Sequence, residues 1–327
     1  MLKYFIKKFI FIIPLLLGIS FLLFMLMHFS PGDPSNLKYG LNPSVSMSAR
    51  ENFNKMYGLD KPLLQQYAVW IKKMFFLDFG NSLIDGKPVM KKIMERLPVT
   101  LLLSGVSLVV TIFLAIPIGI ITAVKRGTFF DNVTSIFLFA VYSIPSFWIA
   151  LVLIFVFGFK LKMFPVSGMT PWFSSYLSPF FRVVNLFHHM VLPVTAIALS
   201  SIPSLARYTR SSMIGVLHEN YIVSGRAKGL SEYRVVMSHA FRNALLPIIT
   251  LLTFILPSLI SGSFIFESIF SWPGMGRLGY EAIMNYDYPL VMGIGVISIF
   301  LTLISILLVD LLYAWCDPRI RYGAATK

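Results

Sequence analysis

The stretch NYIVSGRAKGLSEYRVVMSHAFRNALLP, residues 220–247, decides how the rest of the chain is read. It is polar, basic and amphipathic, and it lies between two long apolar runs. Asn220 is placed to cap a helix N-terminus. Gly229 is placed to end that helix in a left-handed cap, a conformation that disfavours any residue with a Cβ. The enclosed piece, 221–228, is about two turns long. Ser224, Gly225 and Ala227 keep its surface small, so another protein can approach the backbone closely. Ser231 opens a second helix, whose apolar side reads Tyr233, Val236, Met237, Ala240, Phe241 and Ala244. Its other side carries Glu232, Arg234, His239, Arg242 and Asn243. The pattern predicts a short docking helix for a soluble partner on the inner face of a membrane protein.

Composition agrees with that setting. The 327 residues are 57% hydrophobic and 13% charged, where a soluble domain is about 45–50% apolar and about 25% charged. The net charge of +14 does not point to nucleic acid, because the basic residues lie in short segments flanking apolar runs. Cys316 is the one cysteine and excludes an internal disulfide. Six charge-free runs, 9–32, 97–124, 132–159, 183–206, 243–266 and 288–309, each reach the roughly 20 residues that a bilayer crossing takes. The first follows Lys3, Lys7 and Lys8 but is too long for a signal-peptide core and has no A-x-A site before Pro31, so it reads as an anchor.

Charge then sets orientation. With the N-terminus in the cytoplasm, Lys125, Arg126, the basic residues from Arg207 to Arg242, Arg319, Arg321 and Lys327 all fall inside. The two later outer loops hold only Lys160, Lys162, Arg182 and Arg277. The first outer loop is basic as well, but long loops cross largely regardless of charge. The expected protein is an all-α polytopic membrane protein of six transmembrane helices with both termini cytoplasmic. Its parts are a first helix (1–30), an extracytoplasmic loop with amphipathic helices (31–95), a five-helix core (96–314) that contains the cytoplasmic loop 211–244, and a cytoplasmic tail (315–327).

Along the chain, 44–57 and 62–76 look like short amphipathic helices, with Trp70, Phe75 and Phe76 suited to a membrane interface or to an external partner. GNSLIDGKP at 80–88 imitates a phosphate-binding loop, but five residues rather than four separate its glycines, and Pro88 stands where Ser or Thr must hold magnesium. No other candidate nucleotide site appears in the sequence, so any ATP must be hydrolysed by a different chain. YSIPSFW at 142–148 places Pro145 within a span, with Ser143 and Ser146 able to satisfy the freed carbonyls. Such a kink can line a substrate path or be purely structural. Ser258 and Ser261 give the fifth span a small polar face. Glu267 is an ionisable group at the mouth of the bundle, either functional or merely solvated there. These six are the candidate path residues. The outer turn 270–289 contains Pro-Gly-Met-Gly, too flexible for a helix, with Trp272, Tyr280 and Tyr288 suited to the interface; it could close over the outer mouth. His28 stands alone, and the adjacent His188 and His189 point about 100° apart on a helix. No metal, no cofactor and no catalytic residue is expected: H-E-x-x-H, G-x-S-x-G and paired intramembrane carboxylates are all absent from the sequence.

Nine short motifs carry a resemblance: PGDP at Pro31, YGLDKPLLQQY at Tyr57, RLPVTLLL at Arg96, SIPSFW at Ser143, RAKGLS at Arg226, HAFRNALLP at His239, WPGMGRL at Trp272, DYP at Asp287 and DPRIR at Asp317. In this order and spacing, over nearly the whole chain, the sequence resembles the permease subunits of the peptide/opine/nickel class of ABC importers, the dipeptide/oligopeptide permease (DppB/OppB) type. The resemblance implies the type I importer fold. It implies that the loop between the fourth and fifth spans is the EAA loop, whose coupling helix docks into a cleft on the ATPase. Carried over residue by residue, the coupling set is Val223, Ser224, Gly225, Ala227, Lys228, Gly229, Leu230 and Ser231. The loop's glycine matches Gly229, its closing Leu-Pro matches Leu246-Pro247, and Val223, Ser224 and Gly225 stand in the EAA places. The resemblance further implies a second homologous permease subunit, two ATPase subunits, an extracytoplasmic solute-binding protein and a bacterial inner membrane. The implied substrate is a di- or oligopeptide, with nickel or a metal chelate as the alternative. A membrane receptor or assembly protein on the same scaffold, needing no ATPase, is the reading from a different class.

Overall fold

The computed structural model describes residues 2–29, 61–170 and 178–316. Its helices are α1 (Leu2–Phe29), α2 (Leu63–Phe75), α3 (Val89–Val124), α4 (Phe129–Ser143) and α5 (Ser146–Leu153), which runs on as a π-helical segment Ile154–Lys160. Then come α6 (Pro179–Leu217), α7 (Asn220–Ala227) and α8 (Glu232–Arg234), which passes through a π-helical segment Val235–Phe241 into α9 (Arg242–Ser261). The chain closes with α10 (Phe264–Ile269), α11 (Met275–Met284) and α12 (Tyr288–Cys316). Among the described residues there is no strand, only one bridge between Asn81 and Pro88. The expected segment 44–57 lies outside the described residues.

Among the described residues four stretches are each long and apolar enough to cross a bilayer: Ile10–Phe29, Val89–Val124, Pro179–Leu217 and Tyr288–Asp310. The pair Phe129–Ser143 and Ser146–Lys160 qualifies together, bent by 98°. The SIPS motif is therefore a break rather than a kink. Ile144, forced out of the helical region by the following proline, is extended (φ −83°, ψ 130°). The Val141 carbonyl, which loses its helical donor to Pro145, accepts from the Ile144 N–H at 3.3 Å, while the Ser143 hydroxyl donates back to the Phe139 carbonyl at 2.9 Å.

The spine of the bundle is α3 against α6. Leu103 packs with Met190 and Val194, Ala115 with Ala198 and Ile202, and Ile120 with Met213. Contacts that advance together along both helices make them parallel. Gly119 is where the two backbones come closest, since a Cβ there would stand 2.6 Å from Thr209 Cβ and 2.7 Å from the Ala206 carbonyl. At 39 residues, α6 is about 58 Å long, well beyond a hydrocarbon core of about 30 Å. It projects out of the bilayer, and α7 follows its projecting end. Near that end Arg210 grips Asp131 of α4 with two bonds, at 2.8 and 2.9 Å. Asp131 also accepts from the Gly127 N–H at 3.0 Å, which locks the α3–α4 turn onto α6.

At the opposite end, α2 lies along α1, not apart from it: the Tyr67 hydroxyl donates to the Leu17 carbonyl at 3.0 Å. The 80–88 loop is tied down at the start of α12. Its Ser82 hydroxyl and Leu83 N–H both donate to the Asp287 carboxylate just ahead of α12, while Lys92 pairs with Asp85 at 3.0 Å.

Candidate functional site

The cytoplasmic candidate is built around α7. Glu219 rather than Asn220 holds the N-cap position (φ −69°, ψ 143°), and Asn220 is the first helical residue. The C-terminal end follows the local sequence. Gly229 has φ +76°. Its N–H donates to the Arg226 carbonyl at 2.9 Å, and the Leu230 N–H reaches the Gly225 carbonyl at 3.3 Å. This is a Schellman pairing, completed by its usual apolar contact: Leu230 lies over Gly225, 3.6 Å from where a Cβ would stand. The space around Gly229 is open, so the backbone angle, not crowding, requires glycine there.

One side chain seats α7 on the bundle. Ile222 is 1% exposed and packs among Ile120 and Ala123 of α3, Met213 of α6, and Val235, Val236, Ala240 and Ala244 beyond the turn. Val223, Ser224, Ala227, Lys228, Gly229 and Ser231 are exposed, and Gly225 and Leu230 are half-buried. Arg226 clamps Glu232 across the turn at 2.7 and 3.1 Å, and this guanidinium holds the Glu232 carboxyl below its usual range. The pair is exposed, so it orients the turn more than it stabilises it. A strictly α-helical reading put Tyr233 and Met237 on the apolar side. Both are exposed, whereas Val235 and Val236 are buried with Ala240 and Ala244. The π-helical segment takes up an extra residue per turn and rotates the buried face backward.

The membrane candidate is a cavity of about 540 Å³ between α3, α6, α9 and the start of α10. Hydroxyls line it: Ser104, Ser107 and Thr111 of α3, and Ser200, Ser201 and Ser204 of α6. Ser107, Thr111, Ser200 and Ser201 each donate to a carbonyl within their own helix. Their lone pairs are left as acceptors toward the cavity. Sequence reasoning missed these residues, although the 104/107/111 and 200/201/204 spacings each mark one helix face.

Of the sequence-predicted path residues, Ser143 and Pro145 are exposed and Ser146 half-buried at the α4–α5 break, none of them on the cavity. Ser258 and Ser261 lie in α9, with side chains outside the described ones. Glu267 turns away from the cavity, although Gly262, Ser263 and Phe266 line it. It is 1% exposed. Its carboxylate accepts from the Thr100 hydroxyl at 3.0 Å and from the Arg277 N–H at 2.8 Å. Thr100 in turn accepts from the Met275 N–H at 2.7 Å. A Cβ on Gly262 or Gly274 would overlap this carboxylate. Burial pushes the Glu267 carboxyl above its ordinary value, against the opposing pull of these donors. Glu267 and Thr100 thus cap α11 from outside it.

That remote cap corrects two expectations. The Pro-Gly-Met-Gly turn is not too flexible for a helix: Met275 and Gly276 open the ten-residue α11, held by groups 10 and 175 residues away. Trp272 is fully buried rather than interfacial. It packs with Leu103, Met190 and Val194, and its indole N–H donates to the Val99 carbonyl at 3.2 Å. His188 and His189 turn to the separate carbonyls of Met163 and Asn185.

Known proteins are similar to this chain in sequence and in fold. Residues 115–322 match the family described as binding-protein-dependent transport system inner membrane component, and residues 1–104 match its N-terminal companion. The chain is 41% identical over 323 residues to the oligopeptide transport system permease protein AppB of Bacillus subtilis, covering 98% of this chain and 100% of that one. It is 36% identical over 341 residues to the dipeptide transport system permease protein DppB of Escherichia coli strain K12, covering 98% and 99%. In fold it is similar to the MetNI methionine ABC transporter in inward-facing form, with TM-score 0.52, 17% identity, and 70% and 97% of the two chains covered. The chain belongs to the binding-protein-dependent transport system inner membrane components, the permease subunits of ABC importers of the DppB/OppB type.

Proposed function

We propose that this chain forms half of the membrane path of a peptide importer, paired with a second homologous permease and driven by two ATPase subunits that act on α7. A solute-binding protein delivers substrate from outside. Each chain crosses the inner membrane six times, the α4–α5 pair and α9 supplying the third and fifth crossings, with both termini and the loop 211–244 in the cytoplasm. The core is 96–314, after a first helix at 1–30 and an outer loop at 31–95; 315–327 is a cytoplasmic tail. The observation that carries this reading is the seating of α7. One apolar side chain, Ile222, holds it on the ends of α3 and α6, while the outer surface from Val223 to Gly229 is open to a partner. A push on α7 is thereby delivered to the two helices that also line the hydroxyl cavity. Catalytic chemistry belongs to the ATPases; this chain transmits a conformational preference. The coupling set is Val223, Ser224, Gly225, Ala227, Lys228, Gly229, Leu230 and Ser231. Peptide is the substrate class favoured by the cavity, whose neutral acceptors suit amide N–H donors, and by the substrates named for the relatives AppB and DppB. The test is purification in mild detergent followed by reconstitution with the co-purifying subunits. A second permease, ATPases and ATP-dependent dipeptide uptake are expected. A stable complex without an ATPase would overturn the importer reading.

A further inference from the structure

Arg207 stands one turn beyond the hydroxyl cavity on α6. Ser200, Ser204, Arg207 and Ser211 recur at i, i+4, i+7 and i+11, which is one face of a helix. Ser200 and Ser204 line the cavity, and Ser204, Arg207 and Ser211 are exposed. The guanidinium carbon lies 5.2 Å from the centroid of the Tyr142 ring, at the α4–α5 break. It belongs to a pocket of about 270 Å³ whose walls are Thr122, Ser135, Leu138, Phe139, Ala206 and Arg210.

The charges in that pocket do not cancel. Arg210 is held bidentately by Asp131. Among the described residues Arg207 has no carboxylate partner, only the Tyr142 ring. The Ser135 hydroxyl donates to Asp131, and Thr122 donates to the Ile118 carbonyl. Arg207 is therefore the pocket's one uncompensated charge and its unused N–H donor. Lipid is a poor neighbour for this face. The exposed chain break at Ser143–Pro145 carries irregular backbone, which at membrane depth is tolerated only against protein or water. A polar stripe ending in an arginine is costly against acyl chains as well.

We propose that Arg207 receives the substrate's carboxylate as it leaves the hydroxyl-lined cavity. The inference rests on the peptide-importer reading, since a peptide with a free C-terminus carries that carboxylate through the path. The Tyr142 face holds the guanidinium in place without neutralising it. A single cation in a half-open pocket binds weakly enough to release, as a conducting path requires.

The test uses the whole complex with its partner permease, ATPases and binding protein, reconstituted in phosphatidylethanolamine liposomes with or without phosphatidylglycerol. The probe is a radiolabelled dipeptide. Arg207→Gln is expected to lower the maximal uptake rate about tenfold or more, the loss of one charge-assisted contact. The KM for the loaded binding protein should stay within about twofold, and Arg207→Lys should restore most of the rate. Tyr142→Leu, which removes the platform and keeps the charge, should cost about threefold. Wild-type uptake by Arg207→Gln overturns the proposal and leaves the importer reading standing. A deficit seen only with phosphatidylglycerol assigns the guanidinium to a lipid phosphate and overturns it too. So does an Arg207→Gln chain that no longer assembles with the ATPases, which makes the role structural. A wild-type complex that imports no peptide overturns both readings.

Discussion

Truncating Ile222 to alanine should uncouple the importer while leaving the bundle folded. Ile222 is the only buried residue of the eight-residue α7. A helix of eight residues is marginal on its own, so its conformation and its seat depend on that contact. Truncation of a buried isoleucine costs about 2–5 kcal/mol. The competing contributions are smaller: the exposed Arg226–Glu232 pair contributes about 1 kcal/mol at most, and each hydrogen bond of the cap about 1 kcal/mol net. At roughly 1.4 kcal/mol per tenfold, a loss of about 3 kcal/mol lowers the ratio of seated to unseated α7 about a hundredfold. Two measurements on the reconstituted complex check this: hydrogen exchange of the α7 amides, and peptide taken up per ATP hydrolysed. Ile222→Ala should expose the α7 amides and cut uptake per ATP at least tenfold, the lower end of the truncation cost. Ile222→Val, which costs about 0.5–1.5 kcal/mol, should fall between. Glu232→Gln, which breaks the same ion pair from outside the Val223–Gly229 surface, should stay within about twofold of wild type, as an exposed pair allows. Wild-type exchange and coupling in Ile222→Ala, or uncoupling by Glu232→Gln of equal size, would refute the reasoning.

Other substitutions separate other contributions. At Gly229 the left-handed angle alone resists a side chain, so Ala should cost about 1 kcal/mol, Val more and Asn least; uptake per ATP should fall in the order Asn, Ala, Val, and equal effects would implicate a partner clash instead. Gly119→Ala should destabilise the α3–α6 pair by about 1–3 kcal/mol, because its new Cβ meets backbone that cannot move aside; an unchanged melting temperature in detergent would contradict the packing. Glu267→Gln should be nearly neutral, since burial already disfavours the charge and one amide oxygen still accepts, while Glu267→Ala strands the Arg277 N–H at a cost of about 1–3 kcal/mol; protease sensitivity of the 270–284 turn reads the difference, and equal sensitivity of the two variants would dismiss the capping role. A cysteine at Ser231 should be labelled by impermeant maleimide only from the cytoplasmic side; labelling from outside would reverse the proposed topology.

The residues that were legible in advance are those whose partners are local. Gly229 is one: a left-handed cap needs only its own backbone and the three residues before it. The disturbance at SIPS is another, since a proline dictates the conformation of its neighbour, although the expected kink is a full break of 98°. The hydroxyl faces of α3 and α6 were equally legible from their spacing but were passed over for the residues beside prolines. Glu267 stood out as an ionisable group near the bundle mouth, but its role was beyond reach, because Thr100 lies 167 residues away.

The sequence by itself determined that this is a multi-pass membrane protein with a basic loop at 220–247 ending its short helix at a glycine, because apolar length, charge placement and one left-handed residue act over a few neighbours. Only the tertiary structure decided which side chains face what. The π-helical segment turned Tyr233 and Met237 outward and Val235 inward. Glu267 and Thr100 made a helix of a glycine-rich turn. Asp131 neutralised Arg210 and, among the described residues, left Arg207 with the Tyr142 ring and no carboxylate. In the last two cases the deciding partner comes from another helix, and its distance in space cannot be read from its distance along the chain.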